Sequence, residues 1–402
     1  MGGIKELNGL IDGYEKEMVA TLSQMVRLPA VSPVNGGKGE VKKAAYLKDL
    51  LERWGFKVKT YAYKDPTGSP RPNLIAKYGN AKRTLWLLSH LDVVAEGERA
   101  LWKTDPFTPA IKDGKIFGRG TTDNGQSAVA SIFALKALKE LGIEPKYNVG
   151  IGLVADEEIG SAYGIAKLMN EGIFKASDMY VVPDVGAADG SEIEIVEKSA
   201  LWLKVTIHGK QVHASTPEQG LNAFRCMVRY LAKVDELLHK KYKKKDSLFD
   251  PNVSTFEMTK HEKNVDSTNI IPGKEVFYID SRILPQYEVD KVLGDIKRLS
   301  KGKEFKGARF EFEIIQREDA TKPTKSSSEI ARLLANTIRK QRRINPRFIG
   351  IGGGTVAAFF RRKGMPAVCW STCDPVAHQP NEYAKIKDMV ADAKVFAALF
   401  LK

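Results

Sequence analysis

The sequence predicts an α/β protein, a sandwich around a largely parallel sheet, interrupted by an inserted ferredoxin-like α+β domain. Three observations carry this. Short apolar segments bounded by turn residues alternate with helical periodicity over roughly the first half of the chain, as in sheets joined by crossover helices. The order then changes to β-α-β-β-α-β, the split unit of ferredoxin-like domains. From Ser326 the helix-then-strand alternation resumes. Residues 1–199 and 317–402 are therefore expected to form one discontinuous domain, and residues 200–316 the insertion.

Residues 1–18 read as a polar amphipathic helix with no apolar leader stretch, and a second helix runs over 41–54. Buried strands are expected at 73–78, 84–89 and 148–155, each short and apolar, with helices at 127–141 and 162–171. In the insertion, a strand at 201–208 precedes a long helix at 217–238. Strands at 253–260 and 274–283, a helix at 288–299 and a strand at 309–314 complete it. Polar residues just after strand ends are where open α/β sheets place their active sites.

Composition removes several classes. With 43% hydrophobic and 28% charged residues over 402 positions, the chain is neither disordered nor fibrous. No apolar run approaches the roughly 20 residues of a membrane span. Three cysteines cannot build a disulfide framework, which favours a reducing, cytoplasmic compartment. The net charge of +14, from 63 basic and 49 acidic residues, raises nucleic acid as a partner. The densest basic run, Lys240, Lys241, Lys243, Lys244 and Lys245, comes with no aromatic-studded strand or helix-turn-helix pattern. It reads as a solvated face, with neither nucleic acid nor membrane as partner.

His90 ends the strand at 84–89, and Asp92, two residues on, lies on the same face by period-2 geometry. A carboxylate there accepts the second imidazole N–H, as partners of metal-binding histidines do; a structural histidine is the other reading. Asp123 sits in the tight loop Gly118-Arg119-Gly120-Thr121-Thr122-Asp123, which lacks the spacing of a phosphate loop. Asp156, Glu157 and Glu158 directly follow a buried strand. They are either exposed loop acids or a costly cluster that a cation or proton compensates. Asp184 is another acid at a strand end, and His378 lies in the loop opening the last helix. Cys369 and Cys373 lack the second cysteine pair a structural zinc site needs. Together, two histidines and three carboxylates at successive strand ends suit a divalent metal. Five ligands exceed one tetrahedral ion with an open position, and a bridging Asp between two ions uses them all. Glu157, the spare acid beside Glu158, is then placed to deprotonate a water.

The residues Ser89-His90-Leu91-Asp92-Val93-Val94, Trp102-Lys103-Thr104-Asp105-Pro106-Phe107, Asp113 to Gly120, Asp123, Glu157-Glu158-Ile159-Gly160-Ser161 and His378 carry a resemblance that spans essentially the whole chain. The sequence resembles the co-catalytic zinc peptidase family that includes glutamate carboxypeptidase, aminoacylase, succinyl-diaminopimelate desuccinylase and acetylornithine deacetylase. The resemblance implies a zinc-peptidase-like α/β/α sandwich whose insertion serves as lid and dimerisation domain. It implies two divalent ions, zinc first, with cobalt or manganese as alternatives. His90 and Asp184 would hold one ion, Glu158 and His378 the other, and Asp123 would bridge. Glu157 would be the general base and Asp92 would orient His90. A cis peptide is implied at Asp123–Asn124. One departure is visible: the family's Asp-x-Lys-Gly is Asp123-Asn124-Gly125-Gln126 here, which leaves the ligands intact.

In the insertion, the segment from His208 to Pro217 resembles the family's lid segment, whose His reaches across a dimer to the substrate carbonyl. That makes His213 an oxyanion stabiliser supplied in trans. Asn269 and Arg282 match positions that hold substrate, and Arg suits a carboxylate because its planar fork binds both oxygens. Gly352-Gly353-Gly354-Thr355 opens an apparent helix, so the amides at Gly354 and Thr355 are candidates for the substrate carboxylate; helix–strand packing also explains the glycines. In this family the carboxylate at the position of Asp184 tends to be Asp in peptidases and Glu in deacylases. The expected activity is thus hydrolysis of short peptides, exopeptidase or dipeptidase in type, by a homodimer. The alternative is deacylation of N-acyl amino acids that carry a free carboxylate. A nucleic-acid-associated protein on an inactive hydrolase fold would have no need to keep such an acidic cluster.

Overall fold

The computed structural model describes residues 2–401, and the chain divides into two compact units. One comprises the residues up to Ile195, Pro323–Ile349 and those from Thr355 onward; the other comprises Val196–Lys322 with Gly350–Gly354. These limits lie a few residues from 199/200 and 316/317. Residues 350–354 go with the insertion rather than with the flanking domain. Backbone bonds tie them there: Gly350 N donates to the Leu248 carbonyl at 2.6 Å and Lys198 N to the Ile351 carbonyl at 2.9 Å.

The first unit is built on an eight-stranded sheet in the order Val58–Lys64, Pro70–Tyr78, Asn148–Val154, Thr84–His90, Met179–Val182, Ala367–Cys369, Glu192–Glu197, Arg347–Ile351. Thr84–His90 runs parallel to both its neighbours, and Ala367–Cys369 parallel to Met179–Val182. The sheet is parallel across these four central strands, and the bonds from Arg347 N to the Ser191 carbonyl and from Lys198 N to the Ile351 carbonyl run Glu192–Glu197 and Arg347–Ile351 parallel to each other as well. Val58–Lys64 and Pro70–Tyr78 are joined by a short turn, which permits only an antiparallel pair. The Asp65 carboxylate closes that turn by accepting the N–H groups of Thr67 and Ser69.

Every residue of Thr84–His90 is buried, as expected of a strand covered on both faces. The helix Gln126–Glu140 is buried nearly all round, because it lies between these strands, the C-terminal helix Ile386–Phe400 and the helices Gly2–Gly13 and Glu15–Val26. The expected single helix over 1–18 is thus two helices. The helix expected at 162–171 shrinks to Ile165–Leu168. Gly164 there packs against the end of the preceding strand, so closely that a Cβ would lie 1.9 Å from the Ala155 carbonyl oxygen.

The second unit has a four-stranded antiparallel sheet in the order Thr255–His261, Lys274–Ile283, Ser199–His208, Arg309–Glu318. The helices Ala223–Lys241 and Val289–Leu299 share its core through Leu203, Tyr230, Phe277 and Val292. This is the ferredoxin-like arrangement. Its long helix starts at Ala223 rather than 217, since Asn222 caps it by accepting the Arg225 N–H at 2.9 Å.

Candidate metal centre

The four central strands run parallel, so their carboxyl ends lie together, and the chemistry-bearing residues follow those ends. His90 is the last residue of its strand, Glu157 and Glu158 form a 3₁₀ turn after Asn148–Val154, and Asp184 follows Met179–Val182. Asp123 precedes the helix Gln126–Glu140, and His378 lies in the loop after Ala367–Cys369.

Asp123 is the hub of the cluster. Its Oδ1 lies 2.8 Å from His90 Nε2, and its Oδ2 lies 3.0 Å from His378 Nε2. His378 Nε2 is also 3.0 Å from Glu158 Oε2, and His90 Nε2 is 3.4 Å from Asp184 Oδ1. Two groups of donor atoms gather closely enough to hold a metal: His90, Asp123 and Glu158, and His90, Glu157 and Asp184. The peptide Asp123–Asn124 is cis.

The imidazole of His90 is oriented from behind. Its Nδ1 lies 3.0 Å from the main-chain oxygen of Asp92, which can only accept, so Nδ1 carries a proton, and Nε2, turned toward the carboxylates, is the nitrogen left for a metal. The expected partner, the Asp92 carboxylate, is 3.6 Å away. That carboxylate instead accepts the N–H groups of Glu157 and Glu158, each at 3.0 Å, and so holds the turn presenting both acids. Asp156, in the left-handed region at φ 72°, reverses the chain there.

The electrostatics favour positive charge at this point. Burial, then Asp184, pushes the Glu157 carboxyl well above its ordinary pKa, and burial, then Asp123, pushes Glu158 up to about 7. Burial also opposes ionisation of Asp123, but hydrogen bonds with His378 and His90 outweigh it and hold the group below the usual range. His378 is pushed up to about 10 by Asp123 and Glu158. Four crowded carboxylates and two imidazoles are the hard-to-borderline donor set of zinc, manganese or cobalt, with no thiolate among them. Glu158 Oε1 is buried without a hydrogen-bond partner, as a cation ligand would be. The residues present therefore fit a divalent metal.

Two supporting residues escaped the sequence reading. Asn124 Nδ2 donates to Asp184 Oδ1 at 2.6 Å and to the Pro183 carbonyl at 2.9 Å. Glu382 is fully buried, and its carboxylate accepts the N–H groups of Gly120, Thr122 and Asp123 at 3.1, 2.9 and 3.1 Å. Arg119 pairs with the same carboxylate at 2.8 Å. The loop carrying Asp123 is thereby fastened to the segment carrying His378. The only sequence signal was an acid four residues after His378.

The other expected site residues lie elsewhere. In the second unit, His213 is exposed on a short ribbon, with Ser215 Oγ 2.7 Å from Nδ1 and the Asn269 amide 3.4 Å from Nε2. The fork of Arg282 is occupied by the Asp280 carboxylate at 2.7 and 3.0 Å, with a further bond to the Gly352 carbonyl. Gly354 does not open a helix: Ala357–Arg362 begins three residues later. The Glu318 carboxylate sits where a Cβ on Gly354 would go. Thr355 is buried, and its hydroxyl accepts the Ala357 N–H at 3.1 Å. Among the described residues no disulfide joins the three cysteines, and no helix is long and apolar enough to cross a membrane.

An imidazole–carboxylate cluster at the ends of parallel strands, in an α/β sandwich that carries a ferredoxin-like insertion, defines the class: metal-dependent hydrolases. Residues 86–402 match the model of peptidase family M20/M25/M40, and the chain belongs to that family. An uncharacterized metallohydrolase of Methanocaldococcus jannaschii is 40% identical over 95% of this chain and 98% of its own length. A succinyl-diaminopimelate desuccinylase of Pelagibacter ubique is 26% identical over 95% and 97%. The solved structure of the di-peptidase Dug1p from Saccharomyces cerevisiae shares the fold, with a TM-score of 0.78 at 18% identity over 100% of this chain and 98% of that one.

Proposed function

We propose that this protein is a two-metal amidohydrolase acting on short peptides that bear a free carboxylate. The observation that carries the reading is Asp123, whose two oxygens face His90 and His378 from opposite sides at 2.8 and 3.0 Å. A carboxylate so placed suits a bridge between two ions, with His90 and Asp184 on one and Glu158 and His378 on the other. Such ions, when bound, polarise a scissile carbonyl and lower the pKa of a water. Zinc is the first candidate, because imidazole nitrogens and carboxylates are its ordinary ligands.

Glu157 takes the proton of the attacking water and passes it to the leaving amine. Its burial and the nearby Asp184 carboxylate raise its proton affinity above that of an ordinary carboxylate, as a general base needs. The Asp92 carboxylate keeps Glu157 and Glu158 facing inward through their amides. Resemblance supports His213 as oxyanion stabiliser, Asn269 as a substrate contact and Arg282 as the carboxylate holder, Arg282 by exchanging Asp280 for substrate. Gly354 and Thr355 have less support as carboxylate donors, given Glu318 and the Ala357 bond. Dimerisation through the insertion, the supply of His213 in trans and a cytoplasmic location belong to the same reading.

A second reading, deacylation of N-acyl amino acids, is favoured by the desuccinylase relative, which aligns over 95% of the chain. Asp184, where deacylases tend to carry Glu, favours peptides. The test is metal content by mass spectrometry, paired with hydrolysis of a dipeptide and N-acyl amino acid panel. About two ions per chain, with turnover lost in chelator, is expected. No metal uptake and no turnover would overturn the proposal, and the panel decides between amide classes.

A further inference from the structure

A cavity of about 540 Å³ opens in the catalytic unit between the segment 27–42 and the loop that follows Asp92. None of its lining residues belongs to the metal cluster. Its apolar lining includes Leu28, Val31 and Phe107, and three cations, Arg27, Lys38 and Lys42, also line it. Among the described residues, none of these three side chains has an ion pair or a hydrogen bond. The one acid lining the cavity, Glu96, is already paired with Arg99 at 3.0 Å. We infer that this cavity binds a small amphipathic organic carboxylate.

Three unneutralised cations around one concavity repel each other and attract an anion. The apolar lining needs a body to cover it: an inorganic anion would leave it wet, and a neutral apolar molecule would leave the cations unpaired. The volume lies within the range of small-molecule pockets, about 300–1,000 Å³. The wall is also built in advance. The N–H groups of Asn35, Gly36, Gly37 and Gly39 are all spent on carbonyls of residues 31–33. Gly37 packs so closely on Val31 that a Cβ would lie 1.9 Å from its carbonyl oxygen. A ligand therefore has little loop ordering to overcome.

The test uses the intact metal-loaded protein, titrated calorimetrically at low salt with hexanoate, hexanamide, acetate and inorganic phosphate. Carboxylates can also reach the metal, so each titration is repeated on the double variant Lys38→Glu/Lys42→Glu. Both lysines are exposed, so metal content and melting temperature should match the parent and serve as controls. Hexanoate is expected to saturate and to bind more tightly than the other three probes. The double variant should weaken it about tenfold, the combined effect of two reversed surface charges. Hexanoate binding that is undetectable, unaltered by the double variant, or no tighter than acetate and phosphate would overturn the inference.

Discussion

The Glu382 carboxylate accepts the backbone N–H of Asp123 at 3.1 Å, across 259 residues of sequence. The same carboxylate takes the N–H groups of Gly120 and Thr122 and the Arg119 guanidinium. Asp123 faces both histidines, so the position of its carboxylate depends on this anchor. Glu382→Gln keeps the shape but loses the negative charge and half the acceptors. Metal affinity is expected to fall about 10- to 100-fold, the usual effect of removing a partner behind a ligand, with the circular dichroism spectrum unchanged. Unaltered affinity in a competition titration would mean that Glu382 serves only the loop.

Glu157 lies near His90 and Asp184 as well as beside Glu158, so base and ligand roles must be separated. Glu157→Gln is expected to lower kcat about 10²- to 10⁴-fold with metal stoichiometry preserved. A drop in stoichiometry would make Glu157 a ligand instead.

Ligand variants should differ in how many ions they cost. Asp123→Asn should weaken both sites, and Asp184→Asn only one, as read by native mass spectrometry. Metal should also raise the melting temperature by mass action, and chelator should reverse that gain. Equal losses in the two variants would argue against a bridge.

Among the described residues, the His213 imidazole makes its hydrogen bonds with Ser215 and Asn269. His213→Ala should therefore leave metal content intact. If it stabilises the oxyanion, kcat should fall about 10²- to 10³-fold; a change in KM alone would assign it to substrate binding.

Asp392 supplies a pH dependence away from the metal. It is buried, accepts bonds from Thr372 and Arg342, and is pushed up to about 6 by burial. With its folded pKa above the unfolded value of 3.8, its contribution to stability is complete below about pH 4 and is lost as pH rises through about 6. The loss is on the order of 2–3 kcal/mol. Asp392→Asn should flatten the stability profile between those limits; an unchanged slope in urea titrations would assign the dependence to other groups.

Much of the fold is readable from local pattern. The strand at Thr84–His90 and its terminal histidine follow from an apolar run that stops at a polar residue, and Lys274–Ile283 follows from the same logic. The start of the long helix, expected at 217, does not. Asn222 caps the helix instead, through a bond to Arg225. The antiparallel edge of the sheet was not legible either: alternation of elements does not distinguish a crossover from the short turn closed by Asp65.

At the metal centre, residue types and strand ends were determined by the sequence alone, because burial of apolar strands leaves their polar termini at one edge of the sheet. Which atom meets which was decided only by the tertiary structure. The Asp92 carbonyl rather than its carboxylate orients His90, because the carboxylate is drawn to two amides 65 and 66 residues away. Glu382 looks like any loop acid until folding brings its carboxylate against the amides beside Asp123. Hydrogen-bond partners are set by tenths of an ångström between distant segments, and local periodicity carries no information about that distance.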